Sequence, residues 1–126
     1  MSLRAPLGKV LGLGTAKDGT EHWWAQRVTA VALLLLGVWF LLSLAKAESL
    51  RYADVVILVG RPVNSVLMIL LCATLAYHSY LGIQVVIEDY VHAPGLKVVS
   101  LLLSRFVHIF LALLSMYSVL RIGLSA

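Results

Sequence analysis

The chain has 126 residues, of which 61% are hydrophobic and only 13% are charged, and its formal net charge is +4. Soluble domains average roughly 45–50% apolar and about 25% charged residues, so this chain lacks the charge that covers a soluble surface. The composition therefore excludes a soluble monomer. Because Cys72 is the only cysteine, an internal disulfide is excluded as well.

Charged residues are nearly absent from three long segments. Residues 28–45 and 62–87 contain none, and residues 98–120 contain only Arg105. A helix needs about 20 mainly apolar residues, at ~1.5 Å each, to cross a hydrocarbon layer of roughly 30 Å. The sequence therefore predicts an all-α integral membrane protein whose three transmembrane helices run up, down and up within one domain, 1–126. The predicted spans cover residues about 27–45, 63–88 and 99–121.

Two shorter segments are predicted to lie outside the spans. Residues 55–60 are apolar but too few to cross a membrane, and an Arg-Pro pair follows them, which indicates an interfacial segment leading into the second span. Residues 12–20 are rich in glycine but match neither phosphate-binding template, because Thr20 rather than lysine follows the last glycine. We expect them to form a flexible or surface-lying segment.

The distribution of Lys and Arg predicts the orientation. One side of the predicted membrane has five or six of them, in the amino-terminal segment 1–26, at Arg27, and in the second loop with its flank. The opposite side has four. The positive-inside rule therefore favours a cytoplasmic amino terminus. Because these residues lie at membrane boundaries and form no patch, anionic lipid headgroups are the expected partner and nucleic acid is not. Trp23 and Trp24 fit an aromatic belt where the first span begins.

His78 is the first residue that crossing the membrane does not explain. It lies near the middle of the second span, where an imidazole must be hydrogen-bonded, face water or bind a metal. On a helical wheel, Thr74, Gly82 and Asp89 share its stripe. Gly82 leaves room for a flat group such as a porphyrin, or alternatively packs against another helix. A ligand role and a simple helix–helix hydrogen bond both remain open for His78.

Asp89 and Tyr90 close the second span on the predicted cytoplasmic side. Neighbouring carboxylates at an interface often mark only a solvated helix end. A tyrosine beside an aspartate also suits quinone chemistry, because the phenol can donate a hydrogen bond to a carbonyl oxygen while the carboxylate orients it and passes protons.

Arg105 and His108 share one face of the third span, three residues apart. His108 reaches about the depth of His78, so one haem ligated by both is conceivable. A macrocycle between two axial ligands separates their helices beyond the usual 8–10 Å, however, whereas a short loop holds these two spans together. The second ligand of a haem at His78 is therefore expected from another chain. Arg105 is either a snorkelling anchor or the partner of an acidic group such as a haem propionate.

Two stretches of the chain resemble the signatures of succinate dehydrogenase hydrophobic membrane anchor subunits. They are YHSYLGIQVVIEDYV at residues 77–91 and GTEHWWAQRVTA at residues 19–30. The length and the three spans agree with that family. The resemblance implies that His78 is an axial ligand of the iron of haem b and that a second cytochrome b anchor subunit supplies the other. It also implies that Tyr90, with Asp89 beside it, binds ubiquinone and that Arg27 lies near the haem and quinone.

The resemblance further implies a place in succinate:quinone oxidoreductase of a bacterial inner (cytoplasmic) membrane. There a flavoprotein subunit oxidises succinate at FAD, and an iron-sulfur subunit passes the electrons to quinone, in the tricarboxylic acid cycle and the respiratory chain. Our chain has neither a cysteine cluster nor a nucleotide fingerprint, so we expect no catalytic residue in it and no activity of the chain alone.

Two other functions remain as alternatives. A small multidrug-type transporter would be expected to carry an acidic residue within a span, whereas all six Asp and Glu residues here lie outside the uncharged runs. A haem-free structural anchor would use His78 only as a hydrogen-bonding core residue.

Overall fold

The structure is a computed structural model that describes residues 16–47 and 49–125, with the backbone alone for residues 16–19. Helices make up this part of the chain, without any β-strand between residues 16 and 125 where it is described. In chain order the helices are α1 (Ala16–Ala45), α2 (Tyr52–Gly60), α3 (Pro62–Tyr90) and α4 (Pro94–Ser125).

Three of these helices are long and apolar enough to cross a membrane. The segments concerned are Thr20–Ala45, Pro62–Tyr90 and Pro94–Ser125, with 26, 29 and 32 residues. At ~1.5 Å per residue each exceeds the roughly 30 Å of a hydrocarbon core, so the ends extend into the interfaces. The prediction of an all-α membrane protein with three spans is confirmed.

The amino-terminal helix begins earlier than the uncharged run that predicted its span. α1 starts at Ala16, so of the two alternatives for residues 12–20, flexible or surface-lying, the flexible one is wrong from Ala16 onward; residues 12–15 lie outside the described part. The cost of a helix lies in its nucleation, and each further residue adds a hydrogen bond. A single interior glycine costs about 1 kcal/mol, which does not interrupt a helix of 30 residues.

The short apolar segment is a nine-residue helix, α2, and Arg61 separates it from α3. Arg61 is extended, with φ −64° and ψ 130°, because the ring of a following proline disfavours the helical region. Pro62 then starts α3, where no backbone donor is needed. Asn64 donates to the Leu58 carbonyl (2.7 Å), so the side chains of α3 satisfy the last carbonyls of α2.

The connection between α3 and α4 has three residues, 91–93, which makes these helices antiparallel neighbours. The Lys97 ammonium donates to the Glu88 carbonyl at 2.8 Å and so caps the end of α3. α3 also packs against α1, whereas α1 and α4 do not touch within the described residues. The central position of α3 gives it two separate faces, one toward α1 and one toward α4.

Little of the described chain is buried within the chain itself. Large apolar side chains such as Leu34 and Leu35, each 67% exposed, point away from the other helices. Lipid tails or partner helices can solvate such a surface, so packing here depends on the few close contacts. The side chains buried in the described part are Val59, Ser65, Leu81 and Val119.

Gly123 makes the tightest of these contacts, and we expect replacement by alanine to destabilise the helix bundle. A Cβ at Gly123 would lie 2.7 Å from the hydroxyl oxygen of Ser65 and 3.3 Å from its Cβ. That hydroxyl donates to the Val59 carbonyl at 2.5 Å, so it cannot move away without leaving the carbonyl unpaired. Overpacking of this kind costs about 1–3 kcal/mol. Thermal unfolding of the purified protein should show a lower midpoint for Gly123→Ala.

Gly37 supplies the matched control, because a Cβ there would meet nothing within 4 Å. Gly37→Ala should leave the midpoint unchanged or raise it slightly. Ser65→Ala should partly rescue Gly123→Ala, because it removes the 2.7 Å contact and leaves the 3.3 Å one. Equal effects of the two glycine replacements would contradict a close approach at Gly123.

Candidate functional site

His78 lies near the middle of α3 on the face that packs against α1, and it is half-buried. Both of its ring nitrogens meet polar side chains of α1. Nε2 lies 3.3 Å from the amide nitrogen of Gln26, and Nδ1 lies 2.8 Å from the hydroxyl oxygen of Thr29. Three polar side chains thus meet in the seam between two membrane-spanning helices.

These contacts assign one tautomer to the His78 ring. The amide nitrogen of Gln26 can only donate, so Nε2 accepts and Nδ1 carries the proton. The Nδ1–H group then donates to the Thr29 oxygen, whose own hydroxyl donates to the Ala25 carbonyl at 2.7 Å. His78 is therefore a neutral imidazole, oriented through Nδ1, whose Nε2 lone pair faces the Gln26 amide.

Gln26 and Thr29 are three residues apart, which places them on one face of α1, and His22 lies one turn before Gln26. The Nε2 atom of His22 and the amide oxygen of Gln26 are buried and lack a hydrogen-bond partner among the described residues. Buried polar atoms are ordinarily paired, so this seam contains hydrogen-bonding groups that the described part of the chain does not pair.

Gly82 lies one turn from His78 and faces the same seam, as the helical wheel predicted. A Cβ at Gly82 would lie 3.8 Å from the Gln26 amide nitrogen, which is an ordinary van der Waals contact. The packing of α1 therefore does not require a glycine at this position. Gly82 nevertheless lies in the packed seam between α3 and α1, as the alternative of a helix-packing glycine expects.

Arg27 is exposed, and its guanidinium carbon lies 5.4 Å from the centroid of the Trp23 ring, in cation–π geometry. No hydrogen bond joins Arg27 to His78 in the described structure. The amino-terminal motif thus predicted a role for Arg27, but the contacts of Gln26 and Thr29 with His78 were not predicted. The three-residue spacing of those two polar residues near the start of an apolar helix was the available signal.

Asp89 and Tyr90 lie at the carboxyl end of α3, about 16–18 Å along the helix axis from His78. Tyr90 is 78% exposed, and Asp89 is exposed as well. The adjacent Glu88 accepts a hydrogen bond from Gln84 at 2.8 Å, whereas the side chains of Asp89 and Tyr90 make none within the described residues. Their carboxylate and phenol are free to meet a molecule that approaches this end of the helix.

His108 lies on the opposite side of α3 from the His78 seam. Its Nδ1–H donates to the Ser104 carbonyl at 2.7 Å, and its Nε2 lies 3.2 Å from the Ser79 hydroxyl oxygen. The His108 ring also meets the ring of Tyr80 edge-on, with centroids 5.9 Å apart. Tyr80 is two residues past His78, which is roughly 200° around the helix.

This placement bears on two sequence-based interpretations. His78 and His108 face different sides of α3, which agrees with the argument against one haem ligated by both. Arg105 lines a groove with His108 and Tyr80, so it lies on the far side of α3 from His78. That position speaks against Arg105 as the partner of a propionate belonging to a group held at His78.

Comparison with known proteins identifies relatives along nearly the whole chain. Residues 1–118 match the family model of the succinate dehydrogenase/fumarate reductase transmembrane subunit. The succinate dehydrogenase hydrophobic membrane anchor subunit of Rickettsia bellii is 40% identical over 98 residues, which cover 75% of each chain. That of Paracoccus denitrificans is 30% identical over 115 residues, or 91% of this chain and 88% of its own. The chain therefore belongs to the family of succinate dehydrogenase hydrophobic membrane anchor subunits.

Proposed function

We propose that this chain holds haem b and completes the ubiquinone site of a succinate:quinone oxidoreductase, besides anchoring that complex. The observation that carries the proposal is His78, a neutral imidazole near the middle of a membrane-spanning helix with its Nε2 lone pair facing the α1–α3 seam. An iron ligand must be an unprotonated nitrogen, and a hydrogen bond through the other nitrogen is the usual way to orient it.

The residues around His78 suit a haem with one ligand from this chain. The Gln26 amide is the hydrogen-bond donor at Nε2, and an iron ligated there would replace it. Gly82, one turn from His78, leaves the backbone of α3 uncovered by a side chain next to the ligand. The opposite axial ligand would come from a second anchor subunit, because His108 faces the other side of α3. When bound, haem b supplies a one-electron relay within the membrane.

Tyr90 and Asp89 are proposed to bind the quinone head. The exposed phenol of Tyr90 would donate a hydrogen bond to a quinone carbonyl oxygen, and the Asp89 carboxylate would orient that phenol and relay protons from water. Their place at the end of a span suits a substrate whose isoprenoid tail stays in lipid while its head takes up protons and electrons at the interface. Arg27 follows Gln26, which contacts His78, so it would add a positive charge near the haem rather than beside Tyr90.

The remaining machinery is proposed to reside in partner subunits. A flavoprotein would oxidise succinate to fumarate at FAD, and an iron-sulfur protein would carry the electrons to the membrane. The two anchor subunits would hold this pair at the cytoplasmic face of the bacterial inner membrane, with the amino terminus of our chain on that side. The bias of Lys and Arg toward that terminus and the second loop supports this orientation.

A haem-free anchor is the second candidate, and one observation favours it. Both nitrogens of His78 already have partners on α1, so the histidine can serve as a helix–helix hydrogen-bonding residue alone. Purifying the intact complex through a tag on this chain separates the two candidates. A reduced-minus-oxidised spectrum should show a b-type haem in a preparation that reduces ubiquinone with succinate. An active preparation without that spectrum would establish the haem-free anchor.

We expect Thr29→Val to raise the midpoint potential of the haem by roughly 40 mV. The Thr29 oxygen accepts the Nδ1–H bond, which makes the imidazole a stronger donor and stabilises ferric iron. Loss of a hydrogen bond worth about 1 kcal/mol corresponds to roughly this shift for a one-electron couple. A redox titration of the purified complex, followed in the visible spectrum, measures it.

Thr29→Ser is the matched control, because it retains the hydroxyl that accepts from Nδ1. Its potential should stay within a few millivolts of the unaltered protein. Equal potentials for the valine and serine variants would show that Thr29 does not act on the ligand through this bond.

A further inference from the structure

A narrow groove of about 290 Å³ runs between α3 and α4, on the side of α3 that faces away from α1. Small and aromatic side chains of α3 form one wall, and Arg105 lies in the other. The residues that line the groove include Ala73, Ala76, Tyr77, Tyr80, Arg105 and Ala112. The proposed haem and quinone sites use none of them.

Arg105 brings a permanent positive charge into this apolar groove. It lies 11 residues after Pro94, about 16 Å along α4, within a segment that otherwise lacks charge up to residue 120. Its guanidinium has no ion pair or hydrogen bond among the described residues. His108 beside it is held by the Ser104 carbonyl at Nδ1 and lies 3.2 Å from the Ser79 hydroxyl at Nε2. A charged side chain within a span is ordinarily paired or extends to the membrane interface.

No carboxylate of the described residues forms an ion pair with Arg105. Residues 98–120 contain no Asp or Glu, and the acidic pair at the end of α3, Glu88 and Asp89, is not bonded to Arg105. A second copy of the chain would offer a carboxylate no nearer to the middle of the membrane. An anion from another molecule would therefore complete the pairing of Arg105.

The shape of the groove indicates what kind of molecule. A helix with its side chains is about 10–12 Å wide and would lie across a slot of this volume rather than in it. Ala73, Ala76 and Ala112 contribute only small apolar side chains to its walls, and a single acyl chain is thinner than a helix. Lipid headgroups carry the complementary charge as phosphate, which arginine binds with paired hydrogen bonds.

We propose that the groove binds an anionic phospholipid, with one acyl chain along Ala73, Ala76 and Ala112 and the phosphate on Arg105. Side chains on a helix tilt toward its amino terminus, so Arg105 extends toward the nearer membrane surface, where headgroups lie. Tyr77 and Tyr80 flank the chain on α3. Occupancy does not depend on haem or quinone.

The test uses the intact complex in phosphatidylcholine nanodiscs that contain phosphatidylglycerol with a photoactivatable acyl chain. After illumination, peptides carrying residues 73–80 and 105–112 should be labelled, and far less so when the photoactivatable lipid is phosphatidylcholine. Arg105→Gln should lower the phosphatidylglycerol labelling roughly fivefold, the factor given by about 1 kcal/mol per basic residue near lipid phosphate. Arg105→Lys should retain most of it.

Arg121→Gln is the matched control, because it removes the same charge from the other end of α4 and should leave the labelling unchanged. Ala76→Leu narrows the groove without changing charge, so it should reduce labelling even if Arg105→Gln fails to assemble. The proposal is overturned if Arg105→Gln labels like the unaltered complex. It is equally overturned if the groove peptides stay unlabelled while other spans react, because a protein subunit would then cover them.

Discussion

Replacing His78 with alanine is expected to abolish the b-type signal in the reduced-minus-oxidised spectrum of the complex or to shift it. If Nε2 of His78 binds the haem iron, the alanine variant lacks that ligand. Optical spectra and a redox titration of the purified complex measure the change. Succinate oxidation with a soluble artificial acceptor should persist, because it does not require the membrane site.

The variant also removes two hydrogen bonds between α3 and α1, so a loss of haem through poor assembly must be distinguished from the loss of a ligand. His78→Gln addresses this, because an amide can still bond to α1 but is a poor iron ligand. His108→Ala is the matched control: this histidine also lies within a span and also bonds across two helices. It should leave the spectrum unchanged. A normal spectrum for both His78 variants would show that the ligand assignment is wrong.

The positions of the spans could be predicted from the sequence because a charged residue in lipid is costly whichever side of the helix it lies on. Uncharged runs alone therefore located α3 and α4 to within a few residues. The break at Arg61 was equally local, since proline restricts the residue before it. The early start of α1 was not predicted, because residues 16–20 are polar or small and carry no apolar period.

The partners of His78 could not be predicted, for a different reason. The wheel of α3 placed Gly82 beside His78, but the rotation of α1 about its own axis is set by packing between helices. Arg27 was predicted as a site residue because it belongs to the amino-terminal motif, whereas the uncharged Gln26 and Thr29 are the residues that face the seam. His78 and His108 lie on opposite sides of α3 because α3 packs between α1 and α4. This order of packing could likewise not be predicted from the sequence.

Tyr90 is the residue whose smallest change should affect quinone reduction most selectively. Tyr90→Phe removes one hydroxyl from a side chain that is 78% exposed, so it should not disturb the fold. We expect succinate:ubiquinone reductase activity to fall roughly tenfold, which corresponds to about 1.4 kcal/mol, near the upper end for one hydrogen bond. Activity with a soluble artificial acceptor, which takes electrons before the membrane site, should be unchanged.

A loss of quinone reduction alone would distinguish a role in quinone binding from a role in assembly. Tyr52→Phe is the matched control, because Tyr52 is 84% exposed and begins α2, away from the end of α3 that carries Tyr90. It should leave both activities intact. An equal fall of both activities in Tyr90→Phe would mean that the tyrosine supports assembly of the complex rather than the quinone head. If Asp89→Asn lowers only the quinone activity as well, the carboxylate belongs to the same site at the end of α3.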